Sequence, residues 1–476
     1  MTVPDKPPTS PEVAVIGASF AGLFAAAAAN RAGARVVLLE RDALSEDTTE
    51  RPGVPQGGQP HVLLHRGLEA IEGLLPGLRD ELVAAGGVPI DSGDMAWLSP
   101  DGWLPTGPGL QEFVSLSRPL LELLVRRRVL ALPGVELRTQ ARVHGLAPAD
   151  GRWRLRLADG PELAADTVID AAGRSSRLPH WLADLGIEVP EPTTIEAKLG
   201  YATRRYRSRG ARPLDVGILI GATPESETGA LALPVENDEW LICGAGFGAR
   251  RPSRDSAEFQ GYLRALCDPA VADLAAMLEP VGDVRIHRQT GNRRHGYDKA
   301  RNWPAGLLVV GDALTAFNPV YGQGITVAAC QAELLTPRLR TPLDARTTAR
   351  VQARLARVAD LPWSIATGQD VLYPSCEQDQ TAAQRLMYRW TQRVNRLAAG
   401  GDASCRRTLN SVYHLMAPGT ALFRPRIVGT VLRSLVAGVP AAAARPAVLD
   451  AVVPAESVSE STGPGSFPSV NPPPTP

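Results

Sequence analysis

Lysine is nearly missing from this chain: of its 50 basic residues only Lys6, Lys198 and Lys299 are lysine. A compositional bias that also favours alanine explains the shortage, and chemistry that needs a lysine has few positions open to it. An excess of either charge is lacking too, since Lys+Arg and Asp+Glu both number 50. No net field therefore favours nucleic acid or an anionic membrane. The five cysteines, Cys243, Cys267, Cys330, Cys376 and Cys405, are far apart and never form C-x-x-C. This predicts reduced thiols in a cytoplasmic protein and argues against a zinc ribbon. No uninterrupted apolar run approaches about 18 residues, so no membrane insertion is expected and the protein should be soluble. The opening MTVPDKPPTSP has no basic stretch followed by an apolar one, so no signal peptide is expected.

What is present begins at Glu12–Glu40, EVAVIGASFAGLFAAAAANRAGARVVLLE. An apolar run ends at Gly17, an alanine-rich helix is predicted over Phe20–Arg31, and a second apolar run ends at Glu40. This is a βαβ opening. Gly17 gives the tight turn, Gly22 lets the helix pack close to the strand, and the helix N-terminus offers free N–H groups to a pyrophosphate. Glu40 lies 18 residues beyond Gly22, where a carboxylate can take a ribose 2′-OH. Ser19 replaces the middle glycine of G-x-G-x-x-G. Gly17-Ala-Ser19-Phe-Ala21 is also one residue from a G-x-S-x-G nucleophile elbow, which makes Ser19 an acyl-transfer candidate and the chain, on that reading, a serine hydrolase. The dinucleotide reading uses more of the local sequence, Glu40 included, but this stretch alone does not separate FAD from NAD.

Further along, RPGVPQGGQPH (51–61) is a loop dense in glycine and proline, followed by a helix predicted over Val62–Leu75. His61 and His65 are four apart, but Val62 stands where H-E-x-x-H needs its glutamate, so no metal site is expected. A helix is predicted from about Pro119 to Leu132, and strands at Val135–Arg138, Arg142–Leu146, Trp153–Leu157 and around Val168–Asp170. From about residue 190 to 290 the pattern becomes one of period two. Its clearest pair, Gly229–Val235 and Glu239–Gly246 about Asn237-Asp238, is expected to set Val235 opposite Trp240 and Leu233 opposite Ile242. That greasy face either packs on helices or walls a pocket, and in the second case the ligand is largely apolar. Ala305–Asp312 returns to the buried-strand pattern, a helix is predicted from Ile325 to about Leu339, and the remainder to about 440 reads as helical.

Gly311-Asp312, followed by Pro319 and Gly322-Gln-Gly324, is the most specific segment. With the βαβ opening and Asp170-Ala-Ala-Gly-Arg-Ser-Ser-Arg177, it makes the chain resemble the FAD-dependent monooxygenases of the p-hydroxybenzoate hydroxylase fold over roughly residues 12–440. The resemblance implies an α/β architecture: a Rossmann-like FAD-binding domain, an inserted antiparallel β-sheet substrate domain and a C-terminal helical region. The implied division is 12–95, 118–188 and 296–342 for the FAD-binding parts, and 96–117 for an excursion into the substrate domain. The substrate sheet is assigned 189–295, the C-terminal helices 343–440 and a disordered tail 441–476.

In that family the cofactor contacts correspond to Gly17, Ser19, Phe20, Ala21, Gly22, Glu40, Arg41, Arg51, Arg118, Val143, Gly311, Asp312, Pro319, Gly322, Gln323, Gly324 and Ile325. Asp312 resembles the residue on the flavin-side hydroxyls, Arg51 and Arg118 lie near the pyrophosphate or its ribose, and Val143 lies by the adenine. VPQGGQPHVLLHRG with GDALTAFNPVYGQGITVAA is most similar to the branch holding polyketide epoxidases of polyether antibiotic pathways. The resemblance implies transfer of oxygen from a C4a-hydroperoxyflavin to a carbon–carbon double bond of an apolar polyketide or polyene. Electrons would come from NADPH or NADH, directly or through a flavin reductase. No side chain is then named as catalytic, and no metal. Aromatic hydroxylation is the alternative within the fold, and would need a group such as His61, His287 or Tyr321 to help deprotonate a phenol. Halogenases on related scaffolds carry a catalytic lysine and a W-x-W-x-I-P segment, neither evident here.

Overall fold

The computed structural model describes residues 10–49, 51 and 53–452, and a five-stranded parallel sheet lies at its centre. Its strand order is Leu307–Val309, Thr167–Asp170, Glu12–Ile16, Arg35–Leu39 and Val135–Arg138, every neighbour parallel. Parallel strands need covered faces, and these are near-continuous apolar runs. The Phe20–Arg31 helix covers one face, with Leu23 to Ala29 fully buried. Its alanines suit this place, since they form helix readily and let neighbouring backbones approach closely. The Gly324–Leu335 and Arg118–Leu130 helices pack against it. The Ala345–Val358 helix also belongs to this layer: Gln352 Oε1 accepts the N–H of Val309 at 2.9 Å, and Thr348 Oγ1 accepts that of Gly306 at 2.9 Å.

The second large sheet has seven strands, in the order Glu279–His287, Leu199–Arg207, Glu239–Phe247, Thr228–Val235, Ile218–Ile220, Ala96–Ser99 and Gly102–Trp103. It is antiparallel except where Ile218–Ile220 runs parallel to Ala96–Ser99. Glu112–Ser115 pairs instead with Val88–Asp91, outside this sheet. A three-stranded sheet, Thr193–Ile195, Asn292–Arg294 and Thr315–Ala316, joins the two regions.

The central hairpin corrects the expected register. Val235 faces Glu239, Leu233 faces Leu241 and Ala232 faces Ile242. Asn237 (φ +62°) and Asp238 (φ +54°) are both left-handed, and the loop takes three residues, Glu236 included. A one-residue slip moves every side chain to the other face. Trp240 and Ile242 therefore pack with Phe259 and Leu263 of the Ser256–Arg264 helix, while Leu233 lies on the opposite side with Leu231 and Cys243. The two readings offered for one face are thus divided between two faces.

Helix ends differ by a few residues: His65–Leu74, Arg118–Leu130 and Gly324–Leu335. At Arg118 the Ser117 hydroxyl caps the helix by accepting the Leu120 N–H at 3.4 Å, and Pro119 occupies the first turn. The tail expected from 441 is ordered over its first part. Ala443 donates to Ala399 O at 2.9 Å, and Leu449 and Val452 are fully buried against the Ala270–Met277 region. Apolar Leu and Val spaced within that stretch explain why it packs. The rest of the tail, 453–476, lies outside the described residues.

Candidate active site

A single cavity of about 820 Å³ runs from the carboxyl edge of the parallel sheet to the inner face of the seven-stranded sheet. All the residues assigned above to the cofactor line it except Gly22, which acts one step behind the wall. Gly17 has φ +97° and donates to Leu39 O at 2.8 Å, and a Cβ there would lie 2.6 Å from Ala171 O. At Gly22 a Cβ would overlap the carbonyl oxygen of Gly17. Both positions exclude a side chain for steric reasons, and the turn they shape aims the helix N-terminus into the cavity.

Behind that turn lies a buried charge network that the sequence did not reveal. Glu40 Oε2 accepts the Ala18 N–H at 2.9 Å and pairs with Arg51 Nη1 at 3.0 Å, while its Oε1 accepts the Asp42 N–H at 3.0 Å. Arg51 Nη2 reaches Glu122 at 3.0 Å, and Glu122 accepts the Ser19 hydroxyl at 3.0 Å. Arg118 Nη2 donates to Ser19 Oγ at 3.1 Å, and its guanidinium stacks over the Phe20 ring at 4.8 Å. Burial pulls the Arg118 guanidinium below its usual pKa, against the pull of Glu122. Arg118 is thus a buried ion-pair member and Arg51 a largely covered one. Ser19 is held between a carboxylate and a guanidinium with no histidine bonded to it, an arrangement unlike that of an activated nucleophile.

On the far side, Gly311 (φ +59°) donates to Gln331 Oε1 at 2.8 Å, and a Cβ there would meet Ala21 Cβ at 2.5 Å. Asp312 faces the cavity with Arg174 Nε 3.7 Å away. Arg174 also donates to Gly291 O at 2.6 Å and Phe317 O at 2.5 Å, clamping the second and third motifs together. The loop Pro319–Gly322 is held from beneath by Asp370 on the Asp360–Asp370 helix. This carboxylate accepts Asn292 Nδ2 at 2.6 Å, Asn318 Nδ2 at 3.0 Å and the Tyr321 hydroxyl at 2.7 Å, and burial raises its pKa to about 6. Arg174 and Asn318 lie inside or beside quoted motifs and could have been suspected there. Asp370 gives no local signal, because its partners are 49 to 78 residues away in sequence.

Gln59 pins the glycine-rich loop to the second sheet, accepting from Thr203 Oγ1 at 2.6 Å and donating to Arg285 O at 3.2 Å. Beyond it the cavity wall is apolar: Met95, Trp97, Phe113, Leu219, Leu231 and Leu233. Tyr413 packs edge-on to Trp97 at 5.6 Å and lines the same end, with burial raising its phenol to about 12. His61 bonds Gln59 O through Nδ1 at 2.8 Å and is held neutral, its pKa lowered to about 3 by burial and by Arg118. His287 is also lowered by burial. Among the described residues no group of three or more His, Cys, Asp or Glu could hold a metal ion.

The cradle fits a dinucleotide on its own evidence. Two glycines lack room for a Cβ, and Arg51 Nε, Arg118 Nε and both ends of the Gln323 amide are buried without a partner around the cavity. Residues 10–351 match the family described as FAD binding domain. The chain belongs to that family. FAD is therefore the cofactor this cradle takes.

The flavoprotein is 34% identical over 355 residues to protein Rv3254 of Mycobacterium tuberculosis, a match spanning 70% of this chain and 73% of that one. Its fold is similar to that of OxyS anhydrotetracycline hydroxylase from Streptomyces rimosus. That match has 18% identity and a TM-score of 0.56, over 86% of this chain and 77% of that chain. A flavoprotein/dehydrogenase from Cytophaga hutchinsonii matches with TM-score 0.64 and 14% identity, over 90% of this chain and 98% of that one. Both likenesses describe the fold.

Proposed function

We propose that this flavoprotein is a monooxygenase that epoxidises a carbon–carbon double bond in a large apolar substrate of the polyketide or polyene class. The observation that carries the reading is the continuity of the flavin-side loop, Pro319–Ile325, with a wall of Met95, Trp97, Phe113, Leu231 and Leu233 in one cavity. When bound and reduced, FAD activates O2 for transfer of one oxygen atom. The second oxygen leaves as water, using two electrons from NADPH or NADH, delivered directly or through a reductase, and two protons.

The chain's own part is placement. Gly311, Gly322 and Gly324 bring backbone close to the flavin, and the N-terminus of the Gly324–Leu335 helix stabilises negative charge arising beside it. The apolar wall holds the alkene and excludes water. Epoxidation needs no base to ionise the substrate. Aromatic hydroxylation benefits from one whose pKa lies near the working pH; of the groups named above, burial lowers both His61 and His287, and Tyr321, raised well above its usual value, donates its hydroxyl to Asp370. This supports the alkene over the phenol.

The test is incubation of the purified yellow enzyme with NADPH, 18O2 and polyene or phenolic polyketides. One 18O incorporated at the expense of one double bond is the expected product. Oxygen on a phenol ring with every alkene intact, or colourless protein inactivated by a serine-directed phosphonate, would overturn the reading.

A further inference from the structure

The chain's electrical neutrality conceals a segregation of charge and apolar surface in its last helices. Residues 382–440 contain nine arginines and one acid, Asp402, a formal charge of +8, so the rest of the chain carries −8. Among the described residues only Arg396 of these nine is in an ion pair, with Asp101 at 2.8 Å. Arg389, Arg407, Arg424, Arg426 and Arg433 are exposed and face no carboxylate. Seven of the ten exposed large apolar side chains of the described residues fall in the same stretch, between Leu386 and Val436.

The helices Ala382–Ala399 and Pro425–Ala437 pack on each other, with Arg393 Nε donating to Ser434 Oγ at 2.9 Å and Trp390 stacked on Phe423 at 5.3 Å. On the second helix Ile427, Val431 and Ser434 point inward, leaving Leu432, Leu435 and Val436 outward at i, i+3 and i+4. Val436 is 93% exposed, Leu386 72% and Leu435 66%. Side chains this exposed are knobs, not the floor of a groove. Knobs on the same helices as unpaired guanidiniums suit a deformable acyl layer under anionic headgroups better than the close-packed surface of another protein.

We infer that this C-terminal helical face docks the protein peripherally on a bilayer of anionic phospholipid. The aliphatic knobs lie at the acyl boundary and the arginines at the phosphates. Among the described residues no helix is long and apolar enough to cross a membrane, so the contact is one of surface attachment. It is independent of the reaction proposed above.

The experiment is flotation of the full-length, FAD-loaded protein with phosphatidylcholine vesicles, with and without phosphatidylglycerol, at low and high salt. Binding is expected only with phosphatidylglycerol and should fade as salt rises. Each arginine at such a surface is worth about fivefold, so Arg424→Gln/Arg426→Gln/Arg433→Gln together should weaken binding roughly 100-fold. Leu432→Ser/Leu435→Ser/Val436→Ser should also release the protein, and because these positions are exposed both variants should keep their flavin absorbance. Equal binding to neutral vesicles, or none to either kind, overturns the inference. So does a dimer in sedimentation that the apolar triple variant splits into monomers, since the face would then be a subunit seam.

Discussion

Gly22→Ala sets two effects of opposite sign against each other. Alanine inside a helix is favoured over glycine by about 1 kcal/mol, and the Phe20–Arg31 helix is otherwise alanine-rich, so propensity alone predicts a more stable protein. Sterics predict the reverse. The new Cβ would overlap the carbonyl oxygen of Gly17 and sit 2.9 Å from its carbon, where ordinary contact begins near 3.4 Å. Gly17 is itself fixed, at φ +97° with its N–H bonded to Leu39 O. The obstacle is backbone, so no neighbouring rotamer can relieve it and the helix start must retreat. Overpacking of this kind costs about 1–3 kcal/mol or more, which outweighs the propensity gain.

The apoprotein should lose about 1–2 kcal/mol, roughly 1–2 °C in Tm for a chain of this length unfolding as one unit. Holoprotein should lose more, because the displaced helix N-terminus is worth up to about 2 kcal/mol to a pyrophosphate, or roughly 30-fold in FAD affinity. Gly311→Ala supplies the control. Its Cβ would meet Ala21 Cβ at 2.5 Å, a side-chain atom, so Ala21→Gly in the same chain should restore part of the binding. Differential scanning fluorimetry of both forms and flavin fluorescence titration measure these quantities. A Gly22→Ala protein with unchanged Tm and FAD affinity would refute the argument that close helix–strand approach builds the cradle.

Three other outcomes follow from the same geometry. Ser19→Gly removes one hydroxyl from the Arg118–Glu122 bridge and should leave the protein yellow and active, with FAD affinity reduced less than about tenfold, the worth of one hydrogen bond; abolished turnover with FAD still bound would reopen a direct role for the serine. Asp370→Ala frees the Asn318–Tyr321 loop and should lower FAD affinity and kcat together while leaving secondary structure intact by circular dichroism. An unchanged flavin spectrum and turnover would show that the carboxylate does not position that loop.

For pH, the sign depends on the group. His61, His295 and His414 are lowered to about 3, 4 and 4, so the unfolded chain binds more protons than the folded one from about pH 4 to 6.5, and stability falls as pH falls through that window. Asp170 and Asp370, both raised to about 6, oppose this: the folded state holds protons there that the unfolded chain releases. The three histidines outweigh the two aspartates, so Tm should drop on acidification. His414→Gln, which keeps an acceptor for the His65 N–H, should flatten the drop, and Asp370→Asn should steepen it. Parallel curves for wild type and both variants would refute the assignment.

The sequence by itself determined the parallel-sheet core and the glycine turns at its carboxyl edge. Gly17, Gly22, Gly311 and Gly322 are legible because local backbone geometry demands residues without a side chain, and Asp312 because it follows a buried strand. Ala171 to Arg174 mark the second strand end for the same reason. Only the tertiary structure decided what each polar group near the cofactor does. Glu40, Arg51, Ser19, Arg118 and Glu122 form one network through contacts up to 103 residues apart, and Asp370 supports the Asn318–Tyr321 loop from a helix with an ordinary pattern. The hairpin makes the same point at short range. Alternation announced two strands, but the two left-handed residues at Asn237 and Asp238 set a three-residue loop. That one-residue slip put Leu233 in the cavity and Trp240 against the helices, because strand faces alternate with a period of two and register is fixed by turn geometry and packing together.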